Sequence, residues 1–474
     1  MNESLTICWL RRDLRLHDHK PLHYASQEGK SFLPIFIFDK EILSRFTNKN
    51  DRRLSFIANT IIDLNKELKS YNSEILVFYG RPIEIIPNLC KVLNANKVFA
   101  GKDFEPQTIE RDSTVEHLLL KNNIELKLSV DHLLQNPKDI LKKDGTPFKV
   151  FTPFSKAWRM SLIKEDYANY RPNLKRTLPV DSKLKNTIQN AGLNLVNTTS
   201  AEKMLKEVGY NFIEDKIWTT HDAKNKLAEW SFNIPKYKET RNYLYLDGTS
   251  RLSPYLRFGL ISIRECFRYA LEYPGAGSDM WINELIWREF YANVLYHFPY
   301  TQNLEFLKPL QGKINWQRNE EHFKLWCEGK TGFPVVDAAM RQLKVMGWVH
   351  NRARMITASF MCKNLLLDWR LGEEYFAQNL MDYDLASNVG GWQWSASTGT
   401  DAQPYFRVFN PILQGQKFDA DGIYVKTYVQ ELKDYKGTNI HEPQKDGLFN
   451  KYYEPIVDLD ITRKRAIETF KAIK

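Results

Sequence analysis

The chain of 474 residues predicts an α/β domain built on a doubly wound parallel sheet, followed by a mostly α-helical domain. Three observations carry this expectation. Short apolar runs at residues 5–10, 32–38, 75–79 and 98–100 alternate with helical patterns, most clearly 53–70, and strands spaced by helices indicate parallel sheets. From about Lys224 onward the apolar residues recur with the 3.6-residue period of amphipathic helices. The length also exceeds what one ordinary core serves, so two domains are expected. The boundaries read as 1–135 for the α/β domain, 136–223 for an interdomain connection and 224–474 for the helical domain.

At the N-terminal end, the first strand is followed by RRDLRLHDH and not by a Gly-rich GxGxxG turn. A nucleotide pyrophosphate is therefore not expected there, which removes the main support for a dinucleotide-dependent dehydrogenase. Arg11, Arg12 and Arg15 are expected in a solvated or interdomain salt-bridging loop. Beyond Met160 the pattern weakens, and LKRTLPVDSKLKN and GLNLVNTTS supply polar and turn-forming residues. A link this long is expected to drape over a domain surface.

Lys and Arg number 67 against 57 Asp and Glu, a net charge of +10, and the pI is near 9.0. This balance suits an anionic partner, nucleic acid first and a membrane surface second. The N-terminus has no basic region followed by a long apolar run, and no stretch reaches transmembrane length, so a soluble, cytoplasmic protein is expected. Cys8, Cys90, Cys266, Cys327 and Cys362 are scattered without a CxxC pair. They read as reduced core thiols, and neither disulfides nor a metal site is expected.

Four stretches of the helical domain carry chemistry. In YLDGTSRLSPYLRFG, Ser253 and Pro254 have the order of an N-cap and a first helical residue. Thr249, Ser250 and Ser253 would then lie by free amides at a helix start, an arrangement suited to phosphate. In WINELIWREFYANVLYH, Glu284, Trp287, Arg288 and Tyr291 share one helix face, where Glu284 and Arg288 could form an i,i+4 ion pair. In GWVHNRARMITASF, Asn351 and Met355 lie one turn apart and can line one cavity, while Arg352 points away toward a phosphate backbone. The run DYDLASNVGGWQWSASTGTDAQPYFRVF packs Asp382, Asp384, Asn388, Gly390, Gly391, Trp392 and Trp394 together. Its glycines permit close approach of a planar ligand, and its two indoles should face different surroundings.

Together these motifs resemble the photolyase and cryptochrome family, and closely the class I cyclobutane pyrimidine dimer photolyases of bacteria. The likeness spans nearly the whole chain and is densest between residues 248 and 416. It implies an FAD cofactor whose diphosphate is wrapped by Thr249, Ser250, Arg251, Leu252 and Ser253 and touched by Tyr237. Trp281, Asp382, Tyr383 and Asp384 complete the flavin pocket, with Asn388 at the N5 edge. The resemblance further implies catalytic roles for Glu284, Asn351, Met355 and Asn388, and stacking of Trp287 and Trp394 on the flipped pyrimidines. It implies DNA contacts by Arg241, Arg288, Tyr291 and Arg352, and an electron path through Trp392, Trp369 and Trp316.

The implied activity is light-driven repair of DNA containing cyclobutane pyrimidine dimers, powered by fully reduced, anionic FAD, in a monomer without an obligate protein partner. Lyases for (6-4) photoproducts place histidines where Asn351 and Met355 stand, and cryptochromes of the DASH type generally lack the GGWQW pattern kept at 390–394. A cryptochrome-type blue-light photoreceptor remains the alternative, although the extended C-terminal tail that such proteins often bear is not seen after the helical pattern; a dark flavin oxidoreductase is the other rival. A second, antenna chromophore is implied near Glu105. The Cys-Lys pair of folate-binding members is replaced by Gln302 and Asn303, so a deazaflavin or an empty site stands beside folate as an expectation.

Overall fold

The computed structural model describes residues 5–221, 223–437, 439–447 and 452–473. The chain divides into two compact units. The first takes Met1–Ile140, Trp158–Phe232 and Arg251–Pro274, and the second takes Leu141–Ala157, Asn233–Ser250 and Gly275–Lys474.

The first unit is built on five parallel strands, β1 (Leu5–Leu10), β2 (Ser31–Asp39), β3 (Leu76–Gly80), β4 (Ala95–Gly101) and β5 (Glu125–Ser129), in the order β3-β2-β1-β4-β5. Helices α1 (Lys20–Glu28), α2 (Arg52–Leu68), α3 (Pro82–Leu93) and α4 (Pro106–Leu120) lie between them in sequence. Because successive strand side chains face opposite ways, Ile7, Trp9, Leu33, Ile35 and Phe78 pack with Leu89 of α3 and Val115 and Leu119 of α4. Thr6 faces the other side and donates to the Ala25 carbonyl of α1 at 3.2 Å. Burial on both faces is why β1 to β4 read as apolar runs. The edge strand β5, ELKLS, buries only Leu126 fully and alternates with charge, so no apolar run announced it.

The loop after β1 is salt-bridged, as expected, but its arginines are not solvated. Arg15 is buried and donates to Asp131 and to the Asp18 carbonyl. Arg11 pairs with Asp112 at 2.6 Å, and Arg12 with Glu105 at 2.9 Å. All of these partners lie within the first unit. The reason is the segment Arg251–Pro274, which closes over the loop: Leu14 N–H donates to the Phe258 carbonyl at 3.0 Å. Gly259 permits that approach, since at φ +75° a Cβ would lie 2.2 Å from the Arg12 carbonyl oxygen. Arg264, also buried, joins Asp18 at 2.9 Å and Asp131 at 2.8 Å. Asp13, His19 and Asp131 converge there, but both Asp131 oxygens are held by Arg15, Arg264 and the Lys20 N–H, which makes the cluster an ion network.

Residues 136–223 contain the helices Phe151–Ser161, Ser182–Asn190 and Ala201–Glu207. Two of the connecting segments between them bond to the sheet, through Leu178 N–H to the Phe32 carbonyl and Val196 N–H to the Val77 carbonyl, each at 2.8 Å.

The second unit is helical. The elements that carry the candidate residues are α5 (Ala276–His297), α6 (Asn351–Ser359), α7 (Trp369–Asn379) and α8 (Leu385–Ala396). Its core gathers Trp326, Phe333, Met340, Phe360, Trp369, Phe376 and Trp392. Among the described residues, no helix is long and apolar enough to cross a membrane. The five cysteines are unbridged.

Burial by itself raises the Asp18 carboxyl, but the guanidinium groups of Arg264 and Arg268 overcome it and hold the pKa at about 2, against an ordinary 3.8. A carboxyl depressed in this way contributes stability that is present above its unfolded value and lost as pH falls through its folded one. Asp18→Asn is expected to lower the unfolding free energy by about 3 kcal/mol near neutral pH, the scale of breaking a buried pair. Urea midpoints of the two proteins should converge between about pH 4 and about pH 2. A gap that stays constant across that range would remove the ion pair as its source.

Candidate functional site

One face of α5 forms the first wall of the site. Glu284, Trp287 and Tyr291 lie along it at helical spacing, as the sequence suggested. The carboxylate of Glu284 is taken by Arg241, which approaches from the segment before α5, in place of the i,i+4 pairing with Arg288. Local spacing offers Arg288, but burial favours the guanidinium that closes on the carboxylate from outside the helix. Burial raises the Glu284 pKa, and Arg241 pulls it back. Arg241 also lies over the Tyr237 ring at 5.5 Å. Burial raises the Tyr237 phenol, Glu284 adding to the effect and Arg241 opposing it. The Trp287 indole stacks on Phe151 and meets Tyr291 at 5.5 Å with a 38° tilt.

Helix α6 supplies the second wall. The Asn351 amide reaches the Met355 sulfur at 3.8 Å, so the two share one side of the helix. Arg352 lies on the same helix between them. It donates to Asn242 at 2.7 Å and lies over the Phe418 ring at 4.4 Å. Burial lowers its pKa, with the like charge of Arg241 adding to the effect, so the two arginines form one basic patch beside Glu284. Two residues along the helix from Arg352, Arg354 donates to Asp382 at 2.8 Å and ties α6 to the start of the Asp382 run.

That run shows why its glycines are there. Asp384 caps α8 by accepting from the Ser387 N–H. A Cβ on Gly390 would lie 2.1 Å from the Tyr291 ring, so the space expected for a planar ligand is filled by that ring. Gly391 is the open position, with nothing within 4 Å of a Cβ. The two indoles diverge: Trp392 is 2% exposed, and Trp394 is half-buried. Trp392 fits only because Gly372 of α7 has no side chain, since a Cβ there would lie 2.2 Å from the indole. Asn388 donates to the Glu373 carbonyl at 3.0 Å and to its carboxylate at 2.9 Å. The Tyr383 hydroxyl donates to the same carboxylate at 3.4 Å. Burial raises the Glu373 pKa, and these two donors counter it.

Trp369 is fully buried, its indole N–H donating to Glu305 at 3.4 Å. Trp316 is half-buried and meets the edge of Phe470. Trp281 and Tyr237 are buried within the second unit. Thr249 and Ser250 belong to the second unit, and Arg251, Leu252 and Ser253 to the first. The helix there runs Ser253–Phe258 with Leu252 as its N-cap, so Ser253 is the first helical residue and not the cap. Arg251 has φ +50°, a strained backbone for a non-glycine. Glu105 precedes α4 and is held by Arg12.

Phe151, Arg354, Glu373 and Trp326 escaped the sequence reading. Trp326 meets Trp392 edge to face at 5.9 Å. Phe151, Arg354 and Glu373 had no local signal, since each is defined by a partner distant in the chain.

Residues 6–172 match the family described as DNA photolyase, and residues 281–472 match the one described as FAD binding domain of DNA photolyase. A relative from Alkalihalophilus pseudofirmus named deoxyribodipyrimidine photo-lyase is 36% identical over 490 residues, covering 99% of this chain and 98% of its own. The structure of a bacterial class III photolyase from Agrobacterium tumefaciens aligns with a TM-score of 0.85 at 32% identity, over 100% of this chain and 98% of the other. An archaeal photolyase from Sulfolobus tokodaii, solved with two FAD molecules, aligns at 0.84 and 29% identity, over 99% of this chain and 100% of the other. Full-length identity above one third, two successive domain matches and the same fold have one common meaning: the chain belongs to the DNA photolyase family, with that family's FAD-binding domain in its helical unit.

Proposed function

We propose that this protein is a deoxyribodipyrimidine photo-lyase that uses light to split cyclobutane pyrimidine dimers in DNA. The observation that carries the reading is the gathering of Glu284, Trp287 and Tyr291 on one face of α5, with Arg241 and Arg352 joined as a basic patch beside them. Full-length relatives named photo-lyases favour it over the photoreceptor alternative.

The residues present fit FAD. Asp382 keeps a buried carboxylate oxygen without a protein partner, and Gly391 leaves open space beside the chain. The Asn388 amide N–H groups are committed to Glu373, so its carbonyl is the group available to an N–H donor such as the N5 edge of reduced flavin. Tyr237, Thr249, Ser250, Arg251, Leu252, Ser253, Trp281, Tyr383 and Asp384 would complete the binding set. When bound, fully reduced FAD supplies the photoexcited electron that opens the cyclobutane ring and takes it back afterwards.

The chain's own residues bind and orient the lesion. A crosslinked, poorly stacked dimer is easier to extrude than a normal pair, which itself favours damage. Trp287 and Trp394 offer stacking planes to the flipped pyrimidines, and Asn351 with Met355 supplies an amide and a soft apolar contact. Glu284 hydrogen-bonds the dimer as negative charge develops on it, and Arg241, Arg288 and Arg352 hold phosphates without reading sequence. Trp392 and Trp369, both buried, and the half-buried Trp316 are the proposed steps by which an electron enters from solution. The unbridged thiols fit a reducing cytoplasm, and the reading needs no protein partner.

Repair should require both light and bound FAD, and equal repair in darkness would refute the assignment. Glu284→Ala is expected to lower the repair yield at saturating DNA by at least tenfold, about 1.4 kcal/mol, with flavin content unchanged; flavin loss would instead give Glu284 a structural role. Arg352→Ala should weaken damaged and undamaged DNA alike and reduce the salt dependence by about one counterion. A loss confined to damaged DNA in titrations at several salt concentrations would contradict that phosphate contact. Trp316→Phe keeps most of the packing and removes the oxidisable indole. It should slow light-driven reduction of the oxidised cofactor while leaving repair by pre-reduced enzyme intact, and transient absorption at the parent rate would exclude this route.

A further inference from the structure

Phe151 and Trp287 lie face to face, their ring centroids 3.8 Å apart and their planes 3° from parallel. Aromatic pairs in proteins favour edge-to-face or offset contacts, so a parallel pair this close is held by its surroundings. Those surroundings are visible. Phe151 opens the helix Phe151–Ser161, and its free N–H is accepted by Asp401 at 3.1 Å. Thr400, buried beside Asp401, donates its hydroxyl to the Lys149 carbonyl. The chain entering Phe151 is thus held at two points by the loop that follows α8, where Asp401 adopts φ +48°. Phe290 closes the pair from the side, its ring 80° to Trp287 and 77° to Phe151, and Phe154 backs Phe290 at 5.2 Å. All of these residues belong to the second unit.

We infer that Phe151 is a positioning residue for lesion recognition: it covers one face of the Trp287 indole and fixes its plane, so that the other face is presented to a flipped pyrimidine. The inference rests on the lesion-binding role proposed for Trp287. An indole on a half-buried helix face rotates unless something lies against it, and ordering it at the moment of binding would weaken the complex. Phe151 places that ordering in the free protein. The Asp401 clamp links the indole plane to the loop that follows Trp394, the other stacking tryptophan, so the two platforms are set by one piece of backbone.

The test compares Phe151→Leu, which keeps apolar volume and loses the flat ring, with Phe151→Tyr, which keeps the ring. Both are made in the full-length, FAD-loaded enzyme. The readouts are the affinity for an oligonucleotide bearing one thymine dimer, the affinity for the undamaged oligonucleotide, flavin content, and repair yield at saturating DNA. Phe151→Leu should weaken damaged-DNA binding about tenfold and leave undamaged DNA and flavin unchanged, and Phe151→Tyr should recover parent affinity within about twofold. In a Trp287→Ala background, Phe151→Leu should have no further effect. Full affinity in Phe151→Leu, equal losses in both variants, or a loss that persists without Trp287 would overturn the inference. Should Trp287→Ala itself leave damaged-DNA binding intact, the lesion role of Trp287 falls; a loss in Trp287→Ala without one in Phe151→Leu rejects Phe151 alone.

Discussion

Gly390 has no side chain, and the Tyr291 ring occupies the space where one would be. That single close approach lets α5 and α8 pack directly on each other. It brings the face bearing Glu284 and Trp287 to the helix bearing Asn388, Trp392 and Trp394. Gly372 repeats the device one layer deeper, accepting the Trp392 indole against α7. A methyl group at either position would have to displace an aromatic ring in a packed interior, the kind of overpacking that costs about 1–3 kcal/mol. Glycine in a helix is intrinsically unfavourable by about 1 kcal/mol relative to alanine, so these two positions trade helix propensity for contact between helices.

The same packing decides the electrostatics. Asp382 is a buried carboxyl and Glu284 and Glu373 are partly buried ones, and each is matched by a donor from a different segment: Arg354, Arg241, and Asn388 with Tyr383 respectively. In a low-dielectric interior an unmatched charge is costly and a matched one is strongly oriented. Such pairing fixes the side chains in defined positions. Asp382 illustrates the balance, with one oxygen satisfied by Arg354 and the other without a hydrogen-bond partner among the described residues.

The first unit solves a related problem differently. Its loop after β1 carries Arg11, Arg12 and Arg15, which as a free sequence would be well solvated. The structure encloses the loop with the Arg251–Pro274 segment, and the charges are matched by Asp112, Glu105 and Asp131, the last of which also takes the second buried arginine, Arg264. The enclosure depends on Gly259, whose left-handed backbone brings it against the Arg12 carbonyl.

The sequence by itself determined the elements whose signal is local. Four strands were legible because both faces of the sheet are buried, and the α5 face was legible because 3.6 residues per turn places Glu284, Trp287 and Tyr291 in one line. The family motifs in 248–416 marked the residues proposed to hold the flavin and the lesion. Only the tertiary structure decided the partners. Nothing near Glu284 in sequence distinguishes Arg288, four residues away, from Arg241, which lies 43 residues before it and makes the contact. Nothing in GGWQW says that Gly390 receives a tyrosine while Gly391 stays open, and nothing in VFTPF says that Phe151 stacks on an indole. Periodicity follows from the geometry of one segment of backbone, whereas ion pairs, ring contacts and the room beside a glycine depend on which distant segments close together. A half-polar edge strand such as β5 falls between the two, because its pairing with β4 and not its composition makes it a strand.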